Sequence, residues 1–567
     1  MFAQRNNIMD DKKFMYDIKI NEICDNNLKT LLLSNQHKKI SLKLDCQQYK
    51  ILFEHLENNN NLTDLNLGNI ICEQSDRIVN KKVGSTINYL KNNKNIKTLG
   101  LTHHYFASKN KSVNCSFYDF CQFIGSNNSI TSVDLSNNDL GFEEIWQLFT
   151  CLQNNVVLTN LNLSFNRLGY DNTETKELFS MLENTALTCI NLSDNCLQDI
   201  QRIFLGISNN TKLKTLKLRD NSFDNQTDVL LKSQLGKDPT NDQIRQFFFE
   251  KLPTVNIFEK LNFNAITKLD LSDNEFSEKY INDFFLTLKN NTQVTSLNLS
   301  NNSLANSITQ LLQFLNNNDT LIKLKLHNCD LKNVKDLGLT LETTNISSLV
   351  LSGNKLGKSS LREILYLIEN NKKIKSLNLG KNSIGPVEMK ELVAALQINT
   401  TITKLNLRKN YMGNYGLKEL TLLKTSISAL TNIDLSSNDI RYKKGAKYII
   451  RLIENNKAIK KINLDCNELG DCGIYKLSKY YYKKSPTIKF NLRNNDLDFQ
   501  TCQNILKLFG NNINDVNIKY GKINTDYEQS KFLCSRYSYM LVGFDFSKRY
   551  NFTVKKVMED NTDNRIY

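Results

Sequence analysis

A frame of eleven residues that recurs along most of the chain constrains its fold more than any other feature. The frame reads L-x-x-L-x-L-x-x-N/C-x-L, where L stands for an apolar residue. Clear copies begin at Ile130, Leu158, Leu187, Leu213, Ile266, Val294, Leu321, Ile346, Ile374, Ile402, Leu430, Ile459 and Thr487. Most neighbouring copies start 25 to 29 residues apart. A fixed period of this length predicts a tandem array of one structural unit rather than a single globular core.

Weaker copies flank the clear ones and keep only the apolar strand places. These are Leu65 with Leu67, Leu99 with Leu101 and, as the predicted outermost strands, Leu42 with Leu44 and Val516 with Ile518. We therefore predict an N-terminal cap over residues 1–40, a repeat array over 41–523, and a C-terminal cap and tail over 524–567. One interval has about twice the usual length, so residues 224–265 are either an insertion or one degenerate repeat.

Each repeat predicts one short strand followed by one helix. Alternate strand residues point to opposite faces, so the fourth and sixth places face inward and the third, fifth and seventh face outward. Helical spacing then places Ile145, Leu148, Phe149 and Leu152 on one apolar face. Such a unit buries its apolar face only by stacking. The predicted fold class is α/β: a horseshoe-shaped solenoid with a parallel sheet on the concave side and helices on the convex side.

Asparagine recurs at two positions of the repeat. At the ninth place its side chain both donates and accepts, so we expect it to satisfy backbone groups where the chain leaves the strand. Asn also follows several helices, as at Asn155, Asn371 and Asn456. Because Asn tolerates the left-handed conformation that ends many helices, we predict that conformation there.

These motifs resemble the ribonuclease-inhibitor subfamily of leucine-rich repeat proteins. The resemblance rests on the phrase LTxLNLSxNxLG followed by a helix and paired Asn residues, as in residues 158–169, and it covers roughly residues 40–523. It implies protein binding through the concave sheet and the adjoining loops. Relatives include cytosolic inhibitors, pathogen sensors, GTPase-activating proteins and effectors that intracellular bacteria inject into host cells. The Asn-, Lys- and Ile-rich composition is most similar to that of the effectors.

Composition limits the compartment and the partners. The net charge of +15 is compatible with nucleic acid, acidic proteins or anionic membranes. Thirteen dispersed Cys residues predict buried free thiols in a reducing, cytoplasmic compartment, and we also consider export into a host-cell cytosol without a conventional signal peptide. The first residues have no apolar core and no run of roughly 18 apolar residues occurs, so neither a secretory signal nor a membrane span is expected.

Basic residues gather on the outward strand places toward the C-terminal half of the array. The candidate partner-binding residues are Lys381, Lys404, Arg408, Lys409, Tyr411, Tyr415, Lys461, Lys489, Arg493 and Lys519. The basic members would face an acidic protein surface, and the two Tyr residues are included because Tyr and Arg are enriched in binding hot spots. Cys466 and Cys472 are interpreted as core residues, and Trp146 as a packing residue on the convex side.

Recognisable catalytic motifs are missing from the sequence. None of the five His residues stands at metal-ligand spacing with Cys or carboxylates, and no P-loop, nucleophile elbow or dinucleotide fingerprint occurs. We therefore predict a non-catalytic protein-binding scaffold without metal or cofactor. Two alternatives stay open. One is a GTPase-activating protein that acts through an Arg such as Arg408; the other is a nucleic-acid binder whose affinity falls steeply with salt.

Overall fold

Every clear copy of the frame places a three-residue strand at its third, fourth and fifth places. The structure is a computed structural model. It describes residues 17–20, 39–42, 61–68, 87–91, 93–103, 114–170, 175–197, 200–221, 265–274, 276, 278–288, 291–332, 334–424, 428–484, 488–497 and 516–517. Apart from Ala265, the predicted insertion lies outside these residues, as do Lys519 and the predicted C-terminal cap and tail.

Strands and helices alternate along the described repeats. The strands are β1 Asp17–Ile20, β2 Lys39–Leu42, β3 Asp64–Gly68, β4 Thr98–Thr102, β5 Ser132–Asp134, β6 Asn160–Asn162, β7 Cys189–Asn191, β8 Thr215–Lys217, β9 Lys268–Asp270, β10 Ser296–Asn298, β11 Lys323–Lys325, β12 Ser348–Val350, β13 Ser376–Asn378, β14 Lys404–Asn406, β15 Asn432–Asp434, β16 Lys461–Asn463, β17 Lys489–Asn491 and β18 Val516–Asn517. The helices are α1 Asn114–Ser126, α2 Phe142–Leu152, α3 Thr175–Ser180, α4 Ile200–Ile207, α5 Glu278–Leu288, α6 Ile308–Asn316, α7 Leu337–Thr343, α8 Lys358–Asn370, α9 Pro386–Ile398, α10 Gly413–Leu420, α11 Tyr442–Asn455 and α12 Gly470–Lys484.

The chain divides into two compact units. Unit 1 comprises residues 1–287 and 293–297, and unit 2 comprises residues 288–292 and 298–567. In unit 1, each strand from β1 to β8 pairs in parallel with the strand that follows it. In unit 2, each strand from β11 to β17 does the same. Parallel strands joined by helices at this period make the α/β fold of leucine-rich repeat solenoids, which confirms the predicted fold class.

Pairing places the second strand two residues earlier than the sequence pattern predicts. Ile40 pairs with Leu65 and Leu42 with Leu67, so Leu42 holds the sixth place that the pattern assigns to Leu44. Strand β1 pairs with β2. The prediction that the strand at Leu42 is the outermost strand was therefore wrong. The predicted register was wrong because apolar and polar residues alternate through residues 39–45, and a shift of two residues keeps the same face buried.

The apolar places of the frame and the inner helix faces form the core of each unit. In unit 1, Val133 and Leu135 are almost fully buried. Helix α2 buries its predicted face of Ile145, Leu148, Phe149 and Leu152. Trp146 lies off that face, is half-buried, and contacts Phe142 with 5.6 Å between ring centroids. In unit 2, α9 buries Met389, Leu392, Val393 and Leu396 in the same way.

Ninth-place Asn residues form the predicted ladder of hydrogen bonds. Asn166 Nδ2 donates to the carbonyls of Leu135 and Leu163, at 3.1 and 2.9 Å. Its Oδ1 accepts from the backbone amides of Asn138 and Leu140, both at 3.0 Å. One buried side chain therefore satisfies four backbone groups of two successive repeats, where each unpaired group would cost stability.

The Asn residues that follow the helices form a second ladder, and they are not left-handed. Asn371 and Asn456 have extended backbones with φ of −72° and −124°. Asn371 Nδ2 donates to the Leu341 carbonyl of the preceding repeat at 2.8 Å, and its Oδ1 accepts from the amides of Lys373 and Ile374. The predicted left-handed conformation was wrong because Asn155, Asn371 and Asn399 cap the helix of the preceding repeat through the side chain. Asn456 is also extended, but its Nδ2 has no hydrogen-bond partner among the described residues.

Candidate partner-binding surface

Three predicted lysines share one column of the sheet in unit 2. Register places Lys404 beside Asn432, Asn432 beside Lys461, and Lys461 beside Lys489. All three Lys residues are exposed. At about 4.8 Å per strand, Lys461 and Lys489 have neighbouring backbones, and Lys404 lies about 10 Å from Lys461. We call Lys404, Lys461 and Lys489 the lysine column.

The seventh place of the frame is not uniformly outward, contrary to the prediction. Ser136, Ser164 and Ser436 at this place are buried, as are the seventh-place Ser residues of four other repeats. Ser436 Oγ donates to Asp434 Oδ1 at 2.6 Å, and this short bond holds a small polar residue against the strand. Repeats with Arg depart from the pattern, because Arg408 is exposed and Arg493 is half-buried.

The eighth place of all thirteen clear repeats has a left-handed backbone, and this feature has no simple sequence signal. Lys381 and Lys409 have φ of 57° and 54°. The amide of Lys381 donates to the Arg408 carbonyl at 2.8 Å, and that of Lys409 to the Ser436 carbonyl at 2.9 Å. The next repeat therefore determines this backbone conformation. Both Lys side chains are exposed beyond the ends of the strands.

Exposed tyrosines follow the strands of two successive repeats in unit 2. Tyr411, Tyr415 and Tyr442 are 66%, 67% and 62% exposed. The Lys444 ammonium lies 4.8 Å from the centroid of the Tyr415 ring, a distance typical of a cation–π contact. We call Tyr411, Tyr415, Tyr442 and Lys444 the tyrosine rim.

Tyr442 occupies a backbone conformation that bulky residues rarely adopt. Its φ is 49°, and its amide donates to the Glu468 carbonyl at 3.0 Å. A Cβ placed on Gly470 would lie 3.6 Å from Tyr442 Cδ1, so the ring lies beside the glycine backbone of the next repeat. Neither Tyr442 nor Lys444 is among the candidate residues that the sequence predicts.

Charges on this surface are largely uncompensated by salt bridges. Among the described residues, no salt bridge involves Lys404, Arg408 or Lys461, whereas Arg441 pairs with Glu468 at 2.9 Å. The carboxylate of Asp465 instead accepts from Asn494 Nδ2 at 2.8 Å. Lys404, Lys461 and Arg408 therefore present positive charge to solvent.

Cysteine placement corrects one interpretation of the sequence. Cys466 and Cys472 are exposed, not core residues, because the eighth place points Cys466 outward and Cys472 lies on the outer face of α12. Cys196 is also exposed. The prediction that the thiols are buried is therefore wrong for these three residues. Cys121 and Cys329 are buried; burial raises the pKa of both thiols, that of Cys329 to about 12. A thiol with so high a pKa is a poor nucleophile.

The described residues contain no group of three or more His, Cys, Asp or Glu side chains that could hold a metal ion. Within the same residues, every helix is too short or too polar to cross a bilayer. His327 Nδ1 lies 2.8 Å from Ser352 Oγ and 2.9 Å from the Ser352 carbonyl, an arrangement that orients the ring within the repeat stack.

No protein-family profile matches the chain. No curated protein matches its sequence. Among solved structures, 159 chains match, including the leucine-rich repeat-containing protein LegL7 from Legionella pneumophila. That alignment has 21% identity and a TM-score of 0.36, and it covers 54% of this chain and 91% of LegL7.

Proposed function

We propose that this chain is a non-catalytic scaffold that binds a protein with an acidic surface. The contact residues would be the lysine column, Arg408, Arg493, Lys381, Lys409 and the tyrosine rim, joined by Lys519. The observation that carries the proposal is the in-register column of exposed lysines on strands β14, β16 and β17 of unit 2. Positive groups about 5 to 10 Å apart lie within one Debye length, so they act together on an acidic patch.

Backbone strain at the eighth place supports a binding role for its lysines. Left-handed backbone costs a residue with a Cβ roughly 1–2 kcal/mol, less for Asn and Asp. Eight of the thirteen clear repeats place Asn, Asp or Gly at this position, whereas Phe165, Lys381, Lys409, Ser437 and Cys466 accept the larger cost. A long cation at this place has no hydrogen bond in the described residues that would offset the strain, so contact with a partner is the role we assign to it.

Exposed tyrosines support recognition of a protein rather than of a small ligand. Tyr and Arg are the residues most enriched in hot spots of protein interfaces, and Tyr loses little conformational entropy on binding. Tyr411 and Tyr415 are both about two-thirds exposed, so each ring can become buried in an interface. Burying one aromatic side chain removes roughly 150–250 Å² of its surface from water.

Charge reversal on unit 2, compared with a matched reversal on unit 1, tests the proposal. The test variant carries Lys404→Glu, Arg408→Glu and Arg493→Glu. The control carries the same change in net charge on exposed residues of unit 1, namely Lys214→Glu, Lys217→Glu and Lys268→Glu. Affinity capture followed by quantitative mass spectrometry should recover a protein with the wild type and the control but not with the test variant. Equal recovery by all three proteins would contradict the proposed surface.

We also propose that the partner belongs to a host cell and that the chain is an effector that acts in the host cytosol. The support is the Asn-, Lys- and Ile-rich composition together with the repeat pattern. A reporter fused to the chain, expressed in a bacterium that infects cultured cells, should appear in the host cytosol. Retention of the reporter in bacteria with a working secretion system would count against this role but not against protein binding.

A further inference from the structure

A second basic surface lies on the helices of unit 2, separate from the lysine column. Residues 441–484 contain twelve Lys or Arg and four Asp or Glu, a net charge of +8 against +15 for the whole chain. This segment includes α11 and α12, which pack against each other. This segment, which also holds Lys461 of the lysine column and Lys444 of the tyrosine rim, therefore carries more than half of the net charge of the protein.

The outer face of α11 carries a stripe of like charges. The inner face buries Gly445, Ala446, Ile449, Leu452 and Ile453. Lys443, Lys447 and Arg451 follow one another at intervals of four residues, and all three are exposed. This spacing places their side chains on one side of the helix, opposite the core.

The outer face of α12 extends this surface. Its Ile474, Leu477 and Ser478 are buried, whereas Tyr475 and Lys479, four residues apart, are exposed. Tyr475 is 52% exposed although its ring is largely apolar. We call Lys443, Lys447, Arg451, Tyr475 and Lys479 the basic helix face.

This charge does not stabilise the fold. Like charges at four-residue spacing on a helix repel each other and destabilise the helix. In the part of the chain that the structure describes, no salt bridge involves Lys443, Lys447, Arg451 or Lys479. Glu454, exposed three residues after Arg451 on the same side of α11, offsets part of this repulsion. The remaining excess of positive charge indicates a partner that supplies negative charge.

We propose that the basic helix face binds the surface of an anionic phospholipid bilayer. Clusters of four or more basic residues on a helical surface bind anionic lipids through diffuse attraction, for which the flexible ammonium group of Lys suffices. Three of the four cations are Lys, whereas readout of nucleic acid relies on Arg and on stacked aromatic rings. Tyr475 suits the headgroup region, where an apolar ring with a polar tip is favoured. This role is independent of the proposed protein partner.

Co-sedimentation of the full chain with lipid vesicles tests the proposal. The vesicles contain phosphatidylcholine alone or phosphatidylcholine with about one-third phosphatidylserine. The test variant carries Lys443→Gln, Lys447→Gln, Arg451→Gln and Lys479→Gln. The control variant removes the same charge from exposed positions on other repeats: Lys176→Gln, Arg362→Gln, Lys372→Gln and Lys390→Gln.

The wild type should bind the anionic vesicles and leave the neutral ones unbound. Each basic residue near an anionic surface contributes about a five-fold gain in affinity, so the test variant should bind at least 100-fold more weakly. The control should stay within about three-fold of the wild type, and the thermal midpoint of the test variant should be unchanged or raised, because repulsion on α11 is relieved.

Three results would overturn the proposal. The first is wild-type binding to neutral vesicles as strong as to anionic ones, or no vesicle binding at all. The second is an equal loss in the test and control variants, which would reflect net charge alone. The third is tighter binding of the wild type to a single-stranded oligonucleotide than to anionic vesicles, with that binding lost in the test variant.

Discussion

Asn410 offers the sharpest test of how the repeats hold together. Its Oδ1 accepts from the amides of Asn382 and Ile384, both at 3.0 Å. Its Nδ2 donates to the carbonyls of Leu379 and Leu407, at 3.1 and 2.8 Å. The residue is 2% exposed, so water does not replace these bonds when Asn410 is changed to Ala.

The loss of stability can be worked out bond by bond. The Leu407 carbonyl keeps its bond from Asn438 Nδ2 at 2.8 Å, so it stays paired. The other three backbone groups lose a bond, and a buried unpaired group costs about 1–3 kcal/mol. Because such costs add incompletely, we expect Asn410→Ala to destabilise its part of the array by about 3–6 kcal/mol.

Hydrogen exchange followed by mass spectrometry suits this measurement, because long repeat arrays need not unfold in two states. Peptides that contain the amides of Asn382 and Ile384 should exchange at least about 100-fold faster in Asn410→Ala. The control is Asn432→Ala on strand β15, where the side chain is partly exposed; it should change exchange by less than about three-fold. Unchanged exchange at Asn382 and Ile384 would refute the role of the ladder.

Three further substitutions test other parts of the structure. Cys329→Asn should raise stability by about 0.5–1.5 kcal/mol in urea unfolding, because the amide replaces a weak thiol donor; a loss of stability would show that the site fits only sulfur. Asn399→Ala should lower the free energy of unfolding by about 2–4 kcal/mol in the same assay. The Asn399 side chain donates to the Ile368 carbonyl of one repeat and accepts from the Ile402 amide of the next. Burial, with the nearby Asp220 charge, raises the pKa of Asp194 from 3.8 to about 6. The folded state therefore holds this proton more tightly than the unfolded chain, and stability falls as pH rises from about 4 through 6. Asp194→Asn should raise the thermal midpoint above pH 7 and leave it unchanged at about pH 4; a gain equal at both pH values would exclude this cause.

Periodic apolar residues were sufficient to predict the strands and helices of the clear repeats. The fourth and sixth places are buried wherever they are described, as at Leu161 and Leu163, because a strand with one packed face tolerates no register slip of one residue. The same pattern could not set the register of β2. Alternation there continues past Leu42, and only the pairing with β3 selects one of two equivalent alignments.

The surface was harder to predict than the core, because hydrogen bonds between repeats decide which side chains face outward. The seventh place follows the buried sixth place, so strand alternation predicts that its side chain faces outward. Its Ser hydroxyl groups instead donate to the side chain at the fifth place, as Ser272 Oγ does to Asp270 Oδ1 at 2.8 Å. The left-handed backbone at the eighth place lets its amide donate to a carbonyl of the next repeat, as that of Lys381 does to Arg408. The sequence of a single repeat does not show this hydrogen bond. Lys444 was missed because its contact with Tyr415 joins two helices of different repeats.

The fold and the proposed binding surface therefore use different places of the same frame. The first, fourth, sixth, ninth and eleventh places are filled by buried residues, and Asn or Asp at the fifth place accepts from the seventh. The third, eighth and tenth places vary in residue type from repeat to repeat, and many of their side chains are exposed. In unit 2 these places hold Lys404, Lys461 and Lys489 at the third, Lys409 at the eighth and Tyr411 at the tenth. We expect a change at Lys404, Lys461, Lys409 or Tyr411 to alter the affinity for the proposed partner with little effect on stability, whereas Asn→Ala at a ninth place should destabilise its part of the array.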